Sequence, residues 1–484
     1  MIRAWNRRVS YHGFRRLPPR LAHCAIGCLT CPIEKESAID DTRCYDPRMR
    51  ITPFIASIAI LAIVSSVVAG AATPPVPTIS PLVSGPGMMY PNPAVSVVAT
   101  APKVEDFPYV TEEYFVSGIA AAAAYQTRII VRRPRDPKSF SGTVVAEAQH
   151  AGGRSLIFEW SRVAVLTRHH LFVEIVHSPA NANTMKMFNA ERYASLSIAM
   201  GQTNEIIAQV GRLIKAKAGP FAAYDVKRVT LMGTSASSAT VRTYLAAHAE
   251  QRMPDGKPIY DGFLLTSTLG NTPLPVVDVP MIQMPTQTEV VTYATQGNRY
   301  RRPDSDEPGN RFRLYEVAGM PHNNARGRPE FQTDPCTLPV TDFNAGAFTA
   351  LGLQHLIAWI AQGKTPPHAP PIEVHGGSTD GDSRPLALDQ YGNAKGGVRS
   401  VWVDVPIATY GVMGKGKVQA QDRLCQLAGT EVPLPEATLK MLYKNKSDYE
   451  SKVSKRLNDL VKEGWFLPEY VDSVKADVHA QPFP

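Results

Sequence analysis

Residues 229–250 place a serine between an apolar strand and a helix, and this junction constrains the fold more than any other segment. Val229-Thr-Leu-Met-Gly233 is typical of a short buried strand, and apolar side chains recur at helical spacing over 236–250. Ser235 lies on the turn between them, and its small neighbours allow a sharp turn. A serine on such a turn projects its hydroxyl above the sheet edge. The segment has the form G-x-S-x-S, because Ser237 stands where the G-x-S-x-G pattern has glycine.

Strand-like and helix-like segments alternate through the middle of the chain. This alternation predicts an α/β fold with a mostly parallel central sheet and helices on both of its faces. A helical C-terminal extension is expected from about residue 375, and Tyr449, Val453, Leu457 and Leu460 form an apolar stripe there that favours packing on the core. Strands are predicted over 126–133, 142–147, 171–176, 229–234, 262–266, 279–284 and 312–317, and helices over 200–216, 236–250 and 345–362.

The N-terminal region is predicted to lie outside the folded domain. Residues 1–48 have scattered arginines without periodicity and indicate a disordered or non-native leader. Residues 49–71 combine a basic start, an apolar run and a small-residue cleavage pattern, which indicate a signal peptide. The alternative is an uncleaved membrane anchor over 51–72. Residues 72–104 indicate an irregular segment, and the domain proper is expected over 105–484.

The charge distribution argues against a nucleic-acid partner, and none is predicted. The net charge is +8, but residues 1–50 hold ten lysines and arginines against five acidic residues, so the rest is almost neutral and has no basic block. No metal or organic cofactor is expected.

Four of the six cysteines belong to the leader, and their spacing does not match a zinc site. Cys336 and Cys425 remain in the predicted domain. In an exported protein they are expected to form one disulfide, and the alternative is two free thiols.

A serine nucleophile needs a histidine base and a carboxylate to orient it, in the chain order serine, acid, histidine. Glu289 lies on the predicted loop 286–289 after the strand 279–284, and His322 ends the Gly-Met-Pro-His turn after the strand 312–317. Both are at the ends of late strands, as this order requires. The nearby carboxylates Asp278, Asp304 and Asp306 are the alternatives to Glu289.

Two backbone N–H groups are needed to stabilise the negative oxygen of an acyl intermediate. Ala236, directly after the serine, is predicted to supply one. The other is expected from Ala151 or Gly152, in the small-residue loop 149–153 that follows an early strand. His150 belongs to this loop and is a candidate to line the site, but it precedes the serine in the chain and lies on the oxyanion side, so it is not predicted to be the base.

The chain resembles the exported bacterial α/β-hydrolase-domain proteins that have a G-x-S-x-S nucleophile turn. This resemblance implies an α/β-hydrolase fold with Ser235 as nucleophile, Glu289 as acid and His322 as base. Such proteins usually have Glu-Trp-x-Asn where this chain has Glu147-Ala-Gln-His150, and G-E-S-Q-S where it has Gly233-Thr-Ser-Ala-Ser237. The similar segments are Tyr109–Gly118, Arg128–Pro134, Gly233–Ser237, Glu316–His322, Gly396–Arg399, and the tail around Tyr443, Tyr449 and Gly464–Pro468.

These features together predict an exported, periplasmic or secreted, serine hydrolase that cleaves a small-molecule carboxylic ester through an acyl-enzyme. The alternatives are an acyltransferase or a peptidase with the same three residues, and a non-catalytic binding protein on the same fold. Residues 178–199 contain several large apolar side chains and are expected either to cover the site or to pack in the core.

Overall fold

The computed structural model describes residues 72–90, 102–270, 272–295, 300–323, 325, 326, 328, 331–375 and 385–483. The leader and the segment 49–71, including most of the alternative anchor, lie outside these residues. Among the described helices, none is both long enough and apolar enough to cross a bilayer. Within its described residues, the segment predicted to be irregular, 72–104, contains one two-residue strand, β1.

A nine-stranded sheet organises the described part of the chain, in the order β1-β2-β3-β5-β4-β6-β7-β8-β9. The first three strands and β5 are joined by antiparallel pairs, and every pair from β5 through β9 is parallel. The mostly parallel central sheet is thus confirmed. The strands are β1 Thr78–Ile79, β2 Tyr109–Ala120, β3 Ala123–Pro134, β4 Thr143–Ala148, β5 Leu171–Ile175, β6 Arg228–Thr234, β7 Gly262–Thr266, β8 Met281–Met284 and β9 Phe312–Leu314.

Strand β2 was not predicted, although it forms the longest pairing in the sheet with β3. The turn between the two strands consists of Ala121 and Ala122, both at positive φ (47° and 59°). Such turns normally contain asparagine or glycine, since these residues tolerate positive φ. The alanine pair therefore lacked the residues by which a hairpin is recognised.

Helices cover both faces of the sheet, as predicted. Helices α1 and α7 share one hydrophobic core with Val145 of β4 and Met232 of β6, while α4 and α5 share another with Val144 and Leu231. Adjacent strand residues thus face opposite cores, as the two-residue period of a strand requires. The helices are α1 Leu156–Thr167, α2 Pro179–Phe188, α3 Ala190–Tyr193, α4 Thr203–Lys215, α5 Ala236–His248, α6 Gln287–Thr295 and α7 Ala345–Gln362.

The helical C-terminal extension packs on the α1/α7 face of the sheet. The predicted stripe of Tyr449, Val453, Leu457 and Leu460 is buried in that core. The extension therefore belongs to the same folded unit as the sheet. Its elements are α8 Val401–Asp404, β10 Ala408–Gly411, α9 Asp422–Ala428, β11 Thr430–Pro433, α10 Glu436–Leu442, α11 Lys446–Glu463 and α12 Val471–Ala480.

A disulfide joins Cys336 to Cys425 of α9, as predicted, across 89 positions of sequence. Leu427, on the same helix, accepts a hydrogen bond from the Asn323 N–H at 2.7 Å. Closing a loop of this length restricts the unfolded chain and typically contributes about 2–4 kcal/mol to stability. The bridge therefore restrains α9, the helix that is hydrogen-bonded to Asn323, the residue next to His322.

Candidate active site

The turn between β6 and α5 holds Ser235 in a strained backbone conformation, with φ 52° and ψ −116°. A Cβ on Gly233 would lie 2.4 Å from the Ser237 carbonyl oxygen, so only glycine allows the helix to approach the strand this closely. The Ser237 hydroxyl accepts the Thr234 N–H at 2.9 Å and donates to the Thr234 carbonyl at 3.0 Å. The departure from G-x-S-x-G thus adds two hydrogen bonds that close the turn.

Ser235, His322 and Glu289 come together at the carboxyl ends of the parallel strands. The Ser235 hydroxyl is 2.9 Å from His322 Nε2, and His322 Nδ1 is 2.5 Å from Glu289 Oε1. The His322 and Glu289 side chains are 13% and 8% exposed, so their contact is largely shielded from water. In this arrangement Nδ1–H donates to the carboxylate and leaves Nε2 free to accept the serine proton.

Glu289 lies on a helix rather than on the predicted loop 286–289, so that prediction was wrong. Helix α6 begins at Gln287, and Glu289 Oε2 accepts the Thr286 N–H at 2.8 Å and the Thr286 hydroxyl at 2.7 Å. The Thr286 oxygen also accepts the Thr288 N–H at 3.2 Å. This is one half of a capping box, in which the N3 carboxylate accepts the N-cap N–H, while the N-cap hydroxyl accepts the N2 rather than the N3 N–H; the signature T-x-x-E is present in Thr286–Glu289. One carboxylate oxygen holds the helix end, which orients the other toward His322.

The first turn of α6 also holds the histidine loop through residues that the sequence analysis did not select. The His322 N–H donates to Thr288 Oγ1 at 3.1 Å. The Gly319 N–H donates to Gln287 Oε1 at 2.6 Å, and the Gln287 N–H donates to the Met320 carbonyl at 3.0 Å. A single helix start therefore positions both the acid and the loop that carries the imidazole.

The three alternative carboxylates bind other partners. Asp278 pairs with His248 at 2.9 Å and with Arg252 at 3.0 Å. Asp304 accepts the Leu314 N–H at 2.8 Å, and both Asp304 and Asp306 lie beside Arg313. Within the described residues, Glu289 is the carboxylate in contact with His322.

The loop after β4 lies next to the Ser235 turn because β4 and β6 are parallel neighbours. Glu147 pairs with Met232, so His150 and Ser235 each lie three residues beyond the same register position. In this loop the Gly152 N–H donates to His150 Nδ1 at 3.0 Å. No described group accepts the Ala151 N–H. Of the two predicted donors in this loop, Ala151 thus has its N–H available.

Burial determines the protonation of two side chains beside this loop. Burial, together with the nearby His322 and Arg154, lowers the pKa of His150 to about 4, so the His150 ring is neutral at pH 7. Burial raises the pKa of Glu159 to about 7, against the opposing effect of its ion pair with Arg154. No group of three or more potential metal ligands occurs within the described ranges.

Residues 178–199 contain α2 and α3, and the large apolar side chains Met185 and Tyr193 pack in a small core of their own, as one of the two alternatives predicted. Met185 and Tyr193 are buried, whereas Met187 is 81% exposed. Asn181 Nδ2 donates to the His150 carbonyl at 3.0 Å. This segment therefore holds the loop 149–153 through the hydrogen bond from Asn181.

The comparisons with known proteins agree with this architecture. The chain belongs to the alpha/beta hydrolase domain family, whose model matches residues 81–476. It therefore shares the family and the fold of the alpha/beta hydrolases. No curated protein matches the sequence.

Several solved structures have local similarity at low identity. Esterase Est22 is 10% identical with a TM-score of 0.27, over 37% of this chain and 64% of that one, so this chain spans less than two thirds of its length. A prolyl endopeptidase is 10% identical with a TM-score of 0.26, over 43% and 35%. The LpqC poly(3-hydroxybutyrate) depolymerase from Bordetella parapertussis is 12% identical with a TM-score of 0.31, over 54% and 92%.

Proposed function

We propose that this protein is a serine hydrolase that cleaves carboxylic esters through an acyl-enzyme. The observation that carries the proposal is the continuous hydrogen-bonded series from the Ser235 hydroxyl through His322 to Glu289. A serine hydroxyl becomes a useful nucleophile only when an oriented base takes its proton. The strained turn and the capped helix start supply that orientation.

In the proposed reaction, Ser235 Oγ attacks the ester carbonyl while its proton passes to His322 Nε2. Glu289 stabilises the resulting imidazolium through the Nδ1–H bond. The same proton is then given to the leaving alcohol as the carbon–oxygen bond breaks, which leaves an acyl group on Ser235. Water, deprotonated by His322, releases the carboxylic acid and restores the serine.

The tetrahedral intermediate has a negative oxygen that needs nearby donors. The Ala236 N–H, at the start of α5, and the Ala151 N–H are proposed as these donors. The start of a helix favours negative charge because the first N–H groups have no partner within the helix. Gly152 is the weaker candidate since its N–H already bonds to His150.

A fluorophosphonate probe tests the nucleophile directly. The wild-type protein is expected to be labelled once, at Ser235, as read by intact mass and peptide mapping, and Ser235→Ala is expected not to be labelled. Thr243→Ala, which removes an exposed hydroxyl on the same helix, serves as the matched control and should be labelled like the wild type. Equal labelling of the wild type and Ser235→Ala would contradict the assignment.

Product analysis distinguishes ester hydrolysis from the other two reactions that the same residues permit. A hydrolase releases the free acid at the same rate when an alcohol or amine is added. An acyltransferase would instead form the new ester or amide, and a peptidase would cleave an amide substrate at a comparable rate.

We also propose that the protein is exported to the periplasm or beyond the cell. The Cys336–Cys425 disulfide supports this proposal, because such bridges persist in oxidising compartments. Protein recovered from the cell envelope or medium is expected to begin near residue 72 and to show no free thiol after denaturation without reductant. Recovery of the full-length chain in the cytoplasm, with two reactive thiols from Cys336 and Cys425, would contradict export.

A further inference from the structure

We propose that the His150 side chain is a further catalytic group, which donates its Nε2–H to the negative oxygen of the tetrahedral intermediate. This inference rests on the proposed ester hydrolysis at Ser235. It assigns to the imidazole a direct part in stabilising the intermediate, beside the backbone N–H groups of Ala236 and Ala151.

The position of His150 is determined by the loop that carries it. The His150 N–H donates to the Arg154 carbonyl at 2.8 Å, and its carbonyl accepts the Gly153 N–H at 2.8 Å and Asn181 Nδ2 at 3.0 Å. These bonds pin the backbone of His150 on both sides. Because β4 and β6 are parallel neighbours, the loop that carries His150 leaves the sheet at the same edge as the turn that carries Ser235.

The tautomer of His150 is determined by Gly152. Its N–H donates to His150 Nδ1 at 3.0 Å, so Nδ1 must be unprotonated and a neutral ring has its proton on Nε2. A Cβ on Gly152 would lie 3.3 Å from Nδ1, so the ring packs directly on this glycine. Nδ1 is therefore occupied within the loop. No described group is hydrogen-bonded to Nε2, and Nε2 is not one of the fully buried polar atoms that lack a partner.

A neutral His150 ring is suited to donate a hydrogen bond in a site where His322 becomes positively charged. The lowered pKa, about 4, keeps the His150 ring neutral at pH 7. A cationic neighbour would oppose formation of the His322 imidazolium, whereas a neutral N–H stabilises the oxyanion without that cost. His322 is itself close enough to contribute to the lowering of the His150 pKa.

Two variants separate donation from support of the loop. His150→Phe and His150→Gln both remove Nδ1, the atom that accepts the Gly152 N–H, but only glutamine keeps an N–H near the position of Nε2. If His150 donates to the oxyanion, His150→Phe should lower kcat for an oxygen ester by about 10²–10³-fold, the typical cost of one such donor. His150→Gln should recover a large part of that loss.

A matched thionoester provides the second readout, because its sulfur is a weaker hydrogen-bond acceptor than oxygen. The loss in kcat caused by His150→Phe should be much smaller for the thionoester than for the oxygen ester. Equal losses with the two esters, or equal losses in the phenylalanine and glutamine variants, would overturn the assignment of His150 and leave the role of Ser235 intact. Absence of Ser235-dependent hydrolysis in the wild type would overturn both proposals.

Discussion

Replacing Ser235 with alanine is expected to lower kcat for a p-nitrophenyl ester by a factor on the order of 10⁵–10⁶. His322→Ala should have an effect of similar size, because the serine is not activated without its base. The Ser235→Ala/His322→Ala double variant should be no worse than either single variant, since the two groups act as one unit. Glu289→Gln should cost less, about 10⁴-fold, because it disturbs the tautomer of the imidazole but leaves the base in place.

Asp278→Asn is the matched control for Glu289→Gln. Asp278 was an alternative acid by sequence, but it binds His248 and Arg252 instead of His322. Its substitution should leave kcat close to the wild-type value. A loss with Asp278→Asn as large as that with Glu289→Gln would contradict the assigned acid. For the Ser235→Ala/His322→Ala double variant, a loss in kcat equal to the product of the two single losses would contradict a shared proton transfer.

Arg128→Met is expected to lower the free energy of unfolding by about 3–5 kcal/mol, as for other buried ion pairs that lose one partner. Arg128 is fully buried, pairs with Glu113, and contacts Glu174 at 2.8 Å. Arg192 provides a second cation for Glu113 at 2.7 Å, whereas Glu174 loses its contact with the Arg128 guanidinium. Removing the guanidinium therefore takes a positive charge away from two buried carboxylates.

Urea denaturation measures this effect, and a second substitution tests its cause. Adding Glu174→Gln to Arg128→Met should recover part of the lost stability, because it removes a buried negative charge that Arg128 had paired with. Lys455→Met, which breaks an exposed pair with Asp459 on α11, is the control and should leave the midpoint unchanged. A midpoint for Arg128→Met that equals that of Lys455→Met would show that the buried pair contributes nothing.

The same buried cluster reaches the candidate active site. Glu174 Oε1 accepts Gln149 Nε2 at 2.9 Å, and Gln149 is the first residue of the loop that carries His150 and Ala151. His177 also contacts the Gln149 carbonyl at 3.0 Å. Loss of Arg128 should therefore disturb the oxyanion donors as well as the fold.

Much of the fold could be predicted because its signals are local. Gly262–Thr266 and Ala345–Gln362 have the predicted bounds, since a short apolar run and an uninterrupted apolar helix with a terminal glycine are unambiguous. The hairpin at Ala121 and Ala122 was missed because its residues are atypical of the turn they form. Helix α6 was missed although Thr286–Glu289 contains the capping signature.

The alternation of strands and helices, and the order of Ser235, Glu289 and His322, were determined by the sequence alone. Such features depend on periodicity and turns within short stretches of chain. The tertiary structure decided which carboxylate meets His322, and which N–H in the loop 149–153 is available. It also decided that β4 pairs with β6, so that the loop of His150 and the turn of Ser235 leave the sheet at the same edge. These contacts join the ends of different strands, so they depend on sheet register and loop geometry, which no local pattern specifies.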